Sequence, residues 1–260
     1  MAARQFSSHQ EFYPARGGGT LGADRKAATA LVFQDVVAGV ASTVAIQGDD
    51  GSIIAIQATA LNTDQVIINA AIVYVNGLGG GSVFVDEGTY NLGANVALLT
   101  SVYLYGSGVA TILTILAATD VCIDVNAVIN VRIAHLSVAT TGVGANDALQ
   151  VRGASIAIEI ENVYCLASGQ DALSIAAASS EVYVHGCLLV GEITRYGINN
   201  AGDNVRITEN RIDDTGNDGI WLQAGGTYCI VTDNRISDWT GEAIDSDEPT
   251  NQVAHNVTAV

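Results

Sequence analysis

The segment Val205–Ile212 (VRITENRI) returns 24 residues later as Cys229–Ile236 (CIVTDNRI), with six of the eight positions identical or closely similar. A chain built on so short a unit has few ways to fold, because each unit must bury its apolar side chains against copies of itself. The frame, apolar-x-apolar-x-x-Asn-x-apolar, continues downstream at Asn251–Asn256 and upstream at Val182–Cys187, Ile158–Val163 and Val131–Leu136, with a degenerate copy at Val102–Ser107. A second mark, a turn followed by an aliphatic residue, falls at Leu149, Leu173, Ile198, Ile220 and Ile244, at intervals of 24, 25, 22 and 24. A helical solenoid would repeat its apolar residues about every 3.6 positions. Here the rhythm is two, many aliphatics are β-branched, and Gly, Asn and Asp punctuate each unit. The spacing predicts an all-β fold, a single-stranded parallel β-helix of about seven coils from Val102 to Thr258, with equivalent strands roughly 4.8 Å apart.

That frame assigns directions. Val205 and Ile207 point inward, Arg206 outward, and the bend then turns Asn210 inward. Asn210, Asn234 and Asn256 therefore form one column, a structural asparagine ladder whose amides bond peptide groups that the bend would otherwise orphan. Upstream the same column holds Cys187, Val163 and Leu136.

Composition narrows the partners. Lys plus Arg is 10 and Asp plus Glu is 27, a net charge of −17. Such a chain is not expected to bind nucleic acid or an anionic membrane surface, since both need cationic patches. Met1–Gln10 lacks the apolar core of a signal peptide, so none is expected and synthesis in a cytoplasm follows. The apolar stretch Val109–Thr119 is about half the length that spans a bilayer. Cys122, Cys165, Cys187 and Cys229 lie far apart with no CxxC, which predicts free core thiols and no metal site.

Ahead of the coils, residues 1–60 form a different region. It comprises a polar, Gly-rich arm, strand-like runs at 30–33, 44–47 and 53–57, and a hairpin bend at Asp49–Gly51. Residues 62–76 read as one amphipathic helix with Asn62 or Thr63 as N-cap. It would close the open end of the stacked core, so that 61–260 forms a capped β-helix. The stretch from Thr63 through Gly79–Tyr90 (GGGSVFVDEGTY), with Val102–Gly108 (VYLYGSG) and Thr111–Leu113, resembles the N-terminal signature of the pectate-lyase superfamily. Asp86 stands where that family usually has proline. The resemblance implies a right-handed β-helix and a scaffold shared by lyases, hydrolases, epimerases and phage tailspikes.

Candidate chemistry lies at the turns. Asp213, Asp214 and Asp218 are expected to share a turn, with Asp238 and Glu242 one coil on. Stacked carboxyls could supply the acid and base of glycoside cleavage, Asp214 with Asp238 for example, although turns favour Asp for local backbone bonding alone. A second acidic column, Asp147, Asp171, Asp218 and Glu242, needs either solvent screening or an intervening cation, with Ca²⁺ as a candidate. His135, His185 and His255 fall near one bend but in separate coils, so they share no metal. Trp221, Trp239 and Tyr196 are candidate platforms for sugar rings.

The expectation is a non-enzymatic structural or receptor-binding virion component, similar to phage tailspike or decoration proteins and made in the host cytoplasm. The chain stops at Val260 directly after the last repeat, and an uncovered solenoid end calls for a partner. The resemblance makes that partner a homotrimer mate or another virion protein. The alternatives are a polysaccharide lyase or glycosidase and a carbohydrate-binding adhesive module.

Overall fold

Two corners of the coil are turned, coil after coil, by a residue in the left-handed backbone region. A computed structural model describes residues 28–59, 63–115, 121–140 and 146–259. The chain winds as a parallel β-solenoid of about seven turns. Each turn contributes strands to three faces. The first face runs from Gly81–Val85 through Val102–Gly106, the first halves of Ile129–Thr140 and Ile156–Ala167, and Ser180–His185, to Gln252–Ala254. The second runs from Gly88–Leu92 through the latter halves of the two long strands to Val257–Ala259. The third is a separate sheet from Val96–Ala97 to Ile244–Ser246.

The two-residue rhythm places one side chain of each pair inside. Leu104, Ile133, Ile160, Val184, Ile207 and Val231 are successive register partners on the first face, all essentially inaccessible. On the third face Leu149, Leu173, Ile198, Ile220 and Ile244 pair in the same way. Between the first and second faces His135, Asn162, Gly186, Glu209, Asp233 and His255 take φ of 53°, 48°, 62°, 59°, 60° and 55°. The corner before the first face repeats this with Ser101, Asn130, Ala157, Glu181, Asn204 and Tyr228. Each non-glycine residue there costs about 1–2 kcal/mol.

The asparagine column sits one residue past the first of these corners and ties it down. The Asn234 Oδ1 accepts from the Asn210 N–H at 3.0 Å and from the Asn210 side-chain amide at 3.0 Å. Asn256 accepts in the same way from Asn234, and Asn210 accepts from the Cys187 N–H at 2.9 Å. The side-chain amides of Asn210, Asn234 and Asn256 donate to the carbonyls of Val184, Ile207 and Val231.

The N-terminal region joins the same sheet. β1 (Ala30–Val37), β2 (Val40–Gln47) and β3 (Ile53–Ala58) form an antiparallel meander, with the bend between β2 and β3 spanning Asp49–Gly51. β1 then pairs in parallel with β4 (Gly81–Val85), so the meander is continuous with the first face. The Ala38–Gly39 bend between β1 and β2, with both residues at positive φ, carries no Asp-Gly or Asn-Gly signal and is not foreseen from the sequence. α1 (Gln65–Gly77) covers the end of the coil with Ile67, Ile68, Ala71, Ile72 and Val75 buried. Its start differs from the expected cap. Asp64 occupies the N-cap position without a side-chain capping bond, and its carboxylate instead accepts from Thr43 Oγ1 at 2.5 Å and the Asn91 N–H at 2.7 Å. Asn62 and the polar arm of residues 1–20 lie outside the described residues.

The ladder yields a graded prediction. Asn234→Ala strands the buried Asn210 N–H and the Ile207 carbonyl and should lower unfolding stability by about 2–4 kcal/mol. Asn256→Ala, at the more accessible coil, should cost about 1 kcal/mol because water reaches the freed groups. Urea midpoints of the two variants measure this, and an equal loss in both would contradict the ladder's role.

Candidate functional site

Two outward columns of the first face run side by side. One reads Tyr103, Arg132, Glu159, Tyr183, Arg206 in register. The other reads Tyr105, Ala134, Glu161, His185, Thr208. At the N-terminal end the second column is apolar, since Leu31, Phe84, Tyr105 and Ala134 belong to a small outer cluster with Val44 and Ile46. It becomes polar at Glu161.

The side chains meet across coils. Tyr103 stacks on Tyr105 with ring centroids 4.6 Å apart, and the Arg132 guanidinium lies over Tyr103 at 5.0 Å. Arg132 bridges Glu159, at 3.1 Å, and Glu161. The His185 Nε2 stands 3.1 Å from Glu159, and its ring stacks on Tyr183 at 4.2 Å. Arg206 lies over the Tyr183 ring at 5.1 Å, while Thr208 Oγ1 lies 3.3 Å from the Tyr183 hydroxyl. Burial pushes the Glu161 carboxyl up, but the Arg132 hydrogen bond and charge, with His185 and His135, hold it below its ordinary value. A shallow groove of about 350 Å³ runs alongside, lined by Tyr103, Arg132, Glu159, Glu181 and Tyr183. The sequence reading did not assemble this cluster: it noted His185 only as one of three histidines near a bend, and Glu159-Ile-Glu161 has the ordinary pattern of a solvated strand face.

The acidic candidates separate. Asp213 and Asp214 lie within the strand Arg211–Thr215 rather than in a turn with Asp218. Asp213 accepts from Ser237 Oγ at 3.0 Å and pairs with Arg211 at 3.2 Å. Asp214 and Asp238 both have positive φ and line a groove of about 430 Å³ with Glu192 and Trp239. Asp218 is buried and accepts the Glu242 N–H at 2.7 Å.

That last bond explains the second acidic column. Asp147 accepts the Asp171 N–H at 3.2 Å, and Asp171 accepts the Tyr196 N–H at 3.3 Å. Each carboxyl thus ties down the backbone of the next unit. A protein cation sits there as well: Arg195 grips Asp171 with bonds of 2.7 and 2.6 Å and lies 4.9 Å over the Tyr196 ring. Asn199 donates to Asp171 at 2.8 Å. Tyr196 is buried and packs at 4.8 Å against Trp221, which stands on the outward side of the third face. Trp239 is half-buried against the core.

The histidines do not converge on one another. His135 and His255 occupy the left-handed corner, while His185 precedes it and faces outward to Glu159. All four cysteines are buried free thiols, with burial pushing Cys165 and Cys187 up to about 12. Among the described residues no helix is long and apolar enough to cross a membrane.

Neither a protein-family model nor a curated protein sequence matches the chain. Solved structures do. The pre-mature gene product 12 of bacteriophage phi29 superposes with a TM-score of 0.57 at 14% identity, over 70% of this chain and 30% of that one. A double mutant of the tailspike protein of E. coli bacteriophage HK620 gives 0.54 at 14% identity, over 76% and 42%. The chain is a parallel β-helix resembling phage tailspikes. PfbA, a surface adhesin of Streptococcus pneumoniae, gives 0.51 at 14% identity, over 76% and 68%. At these identities the likeness is one of fold, and the chain spans less than half the length of the two phage proteins.

Asp147 offers a test of the third-face network. Burial first, then the neighbouring Asp171 carboxylate, pushes its carboxyl up to about 6. The raised value means that the folded state binds the proton more tightly than the unfolded chain. Stability is therefore lost as pH rises from about 4 to 6, and the full cost stands above that window. Asp147→Asn should stabilise the protein by about 1–3 kcal/mol at pH 8 and by nothing at pH 4. Thermal melts of both proteins across this range would reveal the crossover, and a pH-independent difference would contradict it.

Proposed function

We propose that the chain is the β-helical module of a virion surface protein, a non-enzymatic component that recognises a glycan along its first face. The observation that carries this reading is the register-aligned strip Tyr103, Arg132, Tyr183 and Arg206, in which guanidinium groups lie over tyrosine rings beside an open groove. Guanidinium groups held over tyrosine rings present N–H donors to sugar hydroxyls, and the half-buried rings add apolar contact at their edges. A shallow, open strip suits an extended ligand lying across stacked coils. The chain's charge of −17 favours a neutral glycan over an acidic one. Fold likeness to two phage proteins, one of them a tailspike, supports the placement on a virion. Self-association as a homotrimer belongs to the same reading.

A second reading, a glycosidase or lyase, is favoured by one feature, the groove that Asp214, Asp238 and Glu192 share with Trp239. It requires that Asp214→Asn abolish cleavage of a polysaccharide that the native protein degrades.

The experiment is glycan-array binding with the full chain, light scattering on the same sample, and calorimetry on any hit. Tyr183→Ala should weaken binding roughly tenfold, the loss of about 1.4 kcal/mol, while Trp221→Ala on the third face leaves it unchanged. A Tyr183→Ala protein that binds as tightly as the native chain overturns the assignment of the first face. A monomeric mass removes the trimer from the reading.

A further inference from the structure

Glu159 and Glu161 project from one strand of the first face, and His185 stands on the next as the register partner of Glu161. One donor atom from each residue lies within 4.8 Å of the other two. We propose that these three side chains form a binding site for a divalent transition metal of the zinc type, with Arg132 as the competing cation.

The scaffold supplies what such a site needs. All three ligands stand on hydrogen-bonded strands of a single sheet, so their Cα positions are fixed by neighbours on both sides. The Tyr183 ring, stacked at 4.2 Å, holds the imidazole with Nε2 toward the carboxylates. Metal bonds of about 2.0–2.2 Å place the donors of a tetrahedral ion about 3.3–3.6 Å apart. The His185 and Glu159 donors are already 3.1 Å apart, and the Glu161 donor lies within 4.8 Å of both. Three protein ligands leave a fourth position on the open face of the sheet, for water or a ligand atom. The nitrogen donor selects zinc-like ions over calcium or magnesium, which take oxygen ligands.

Arg132 sets the condition for metal entry. Its guanidinium holds the Oε2 atoms of both carboxylates, so a dication entering the cluster meets a positive charge while the fork stays in place. The side chain can withdraw toward solvent, because it is already 41% exposed. This makes Arg132 a gate with a definite sign, since removing its charge must tighten metal binding. The inference stands apart from the glycan reading and does not require it.

The test is calorimetric titration of Zn²⁺ into the chelator-treated 260-residue chain, with Co²⁺ spectra reporting imidazole ligation. The native chain should bind one equivalent at this site. His185→Ala and Glu161→Gln should each weaken that binding at least tenfold, and Arg132→Gln should strengthen it severalfold, with far-ultraviolet circular dichroism confirming the fold of every variant. Absence of zinc binding by the native chain overturns the proposal. So does binding that survives both ligand substitutions, binding that Arg132→Gln leaves unchanged or weakens, or equal affinity for Ca²⁺, which would point to carboxylates elsewhere on this acidic chain. A glycan that still binds after His185→Ala abolishes zinc binding separates this site from the proposed function.

Discussion

A chain that turns the same corner once per coil must hold, at that corner, a backbone conformation that L-residues resist. Glu209, Asp233 and His255 occupy the left-handed region one above another, each at a cost that glycine would avoid. What makes the corner tenable is the residue that follows. Asn210, Asn234 and Asn256 each send an amide back to a carbonyl of the coil below and accept the peptide N–H of the asparagine or cysteine there. The strain is local and the compensation is shared between coils, so it exists only when the coils stack. Upstream the position holds Cys187, Val163 and Leu136, and apolar packing replaces the ladder there.

Stacking also divides the labour of the side chains. Inward columns are committed to the core: Leu104, Ile133, Ile160, Val184, Ile207 and Val231 each rest on the next. Chemistry is left to the outward columns, where neighbours about 4.8 Å apart belong to units some two dozen residues distant in sequence. On the first face the outward column passes from Tyr105 and Ala134, held in an outer apolar cluster, to Glu161 and His185. Arg132, Glu159 and Tyr183 flank that transition in the adjoining column. The cluster of titratable groups therefore begins where the outer cluster formed with the N-terminal meander ends.

The second acidic column is bonded to the backbone of its own coils. Asp147, Asp171 and Asp218 each accept a backbone N–H one coil on, and Arg195 neutralises the most buried of them. Asp214, Asp238 and Glu192 differ in lining an open groove.

The sequence by itself determined the solenoid. A period-two apolar pattern recurring at about 24 residues leaves only stacked parallel strands as a way to bury the aliphatics. The spacing sets the register, so the asparagine column and the partners Leu149, Leu173, Ile198, Ile220 and Ile244 were legible in advance. The capping helix and the Asp49–Gly51 bend followed from local pattern alone. Only the tertiary structure decided that β1 joins the first face in parallel, that Asp64 binds Thr43 and Asn91 instead of capping α1, and that Asp213 and Asp214 lie in a strand. Only the tertiary structure brought His185 to Glu159 and Glu161, and Arg132 between them. The reason is physical. Periodicity specifies which way a side chain points, whereas the partner it finds depends on the lengths of the intervening units and on competition among charges that only meet across coils.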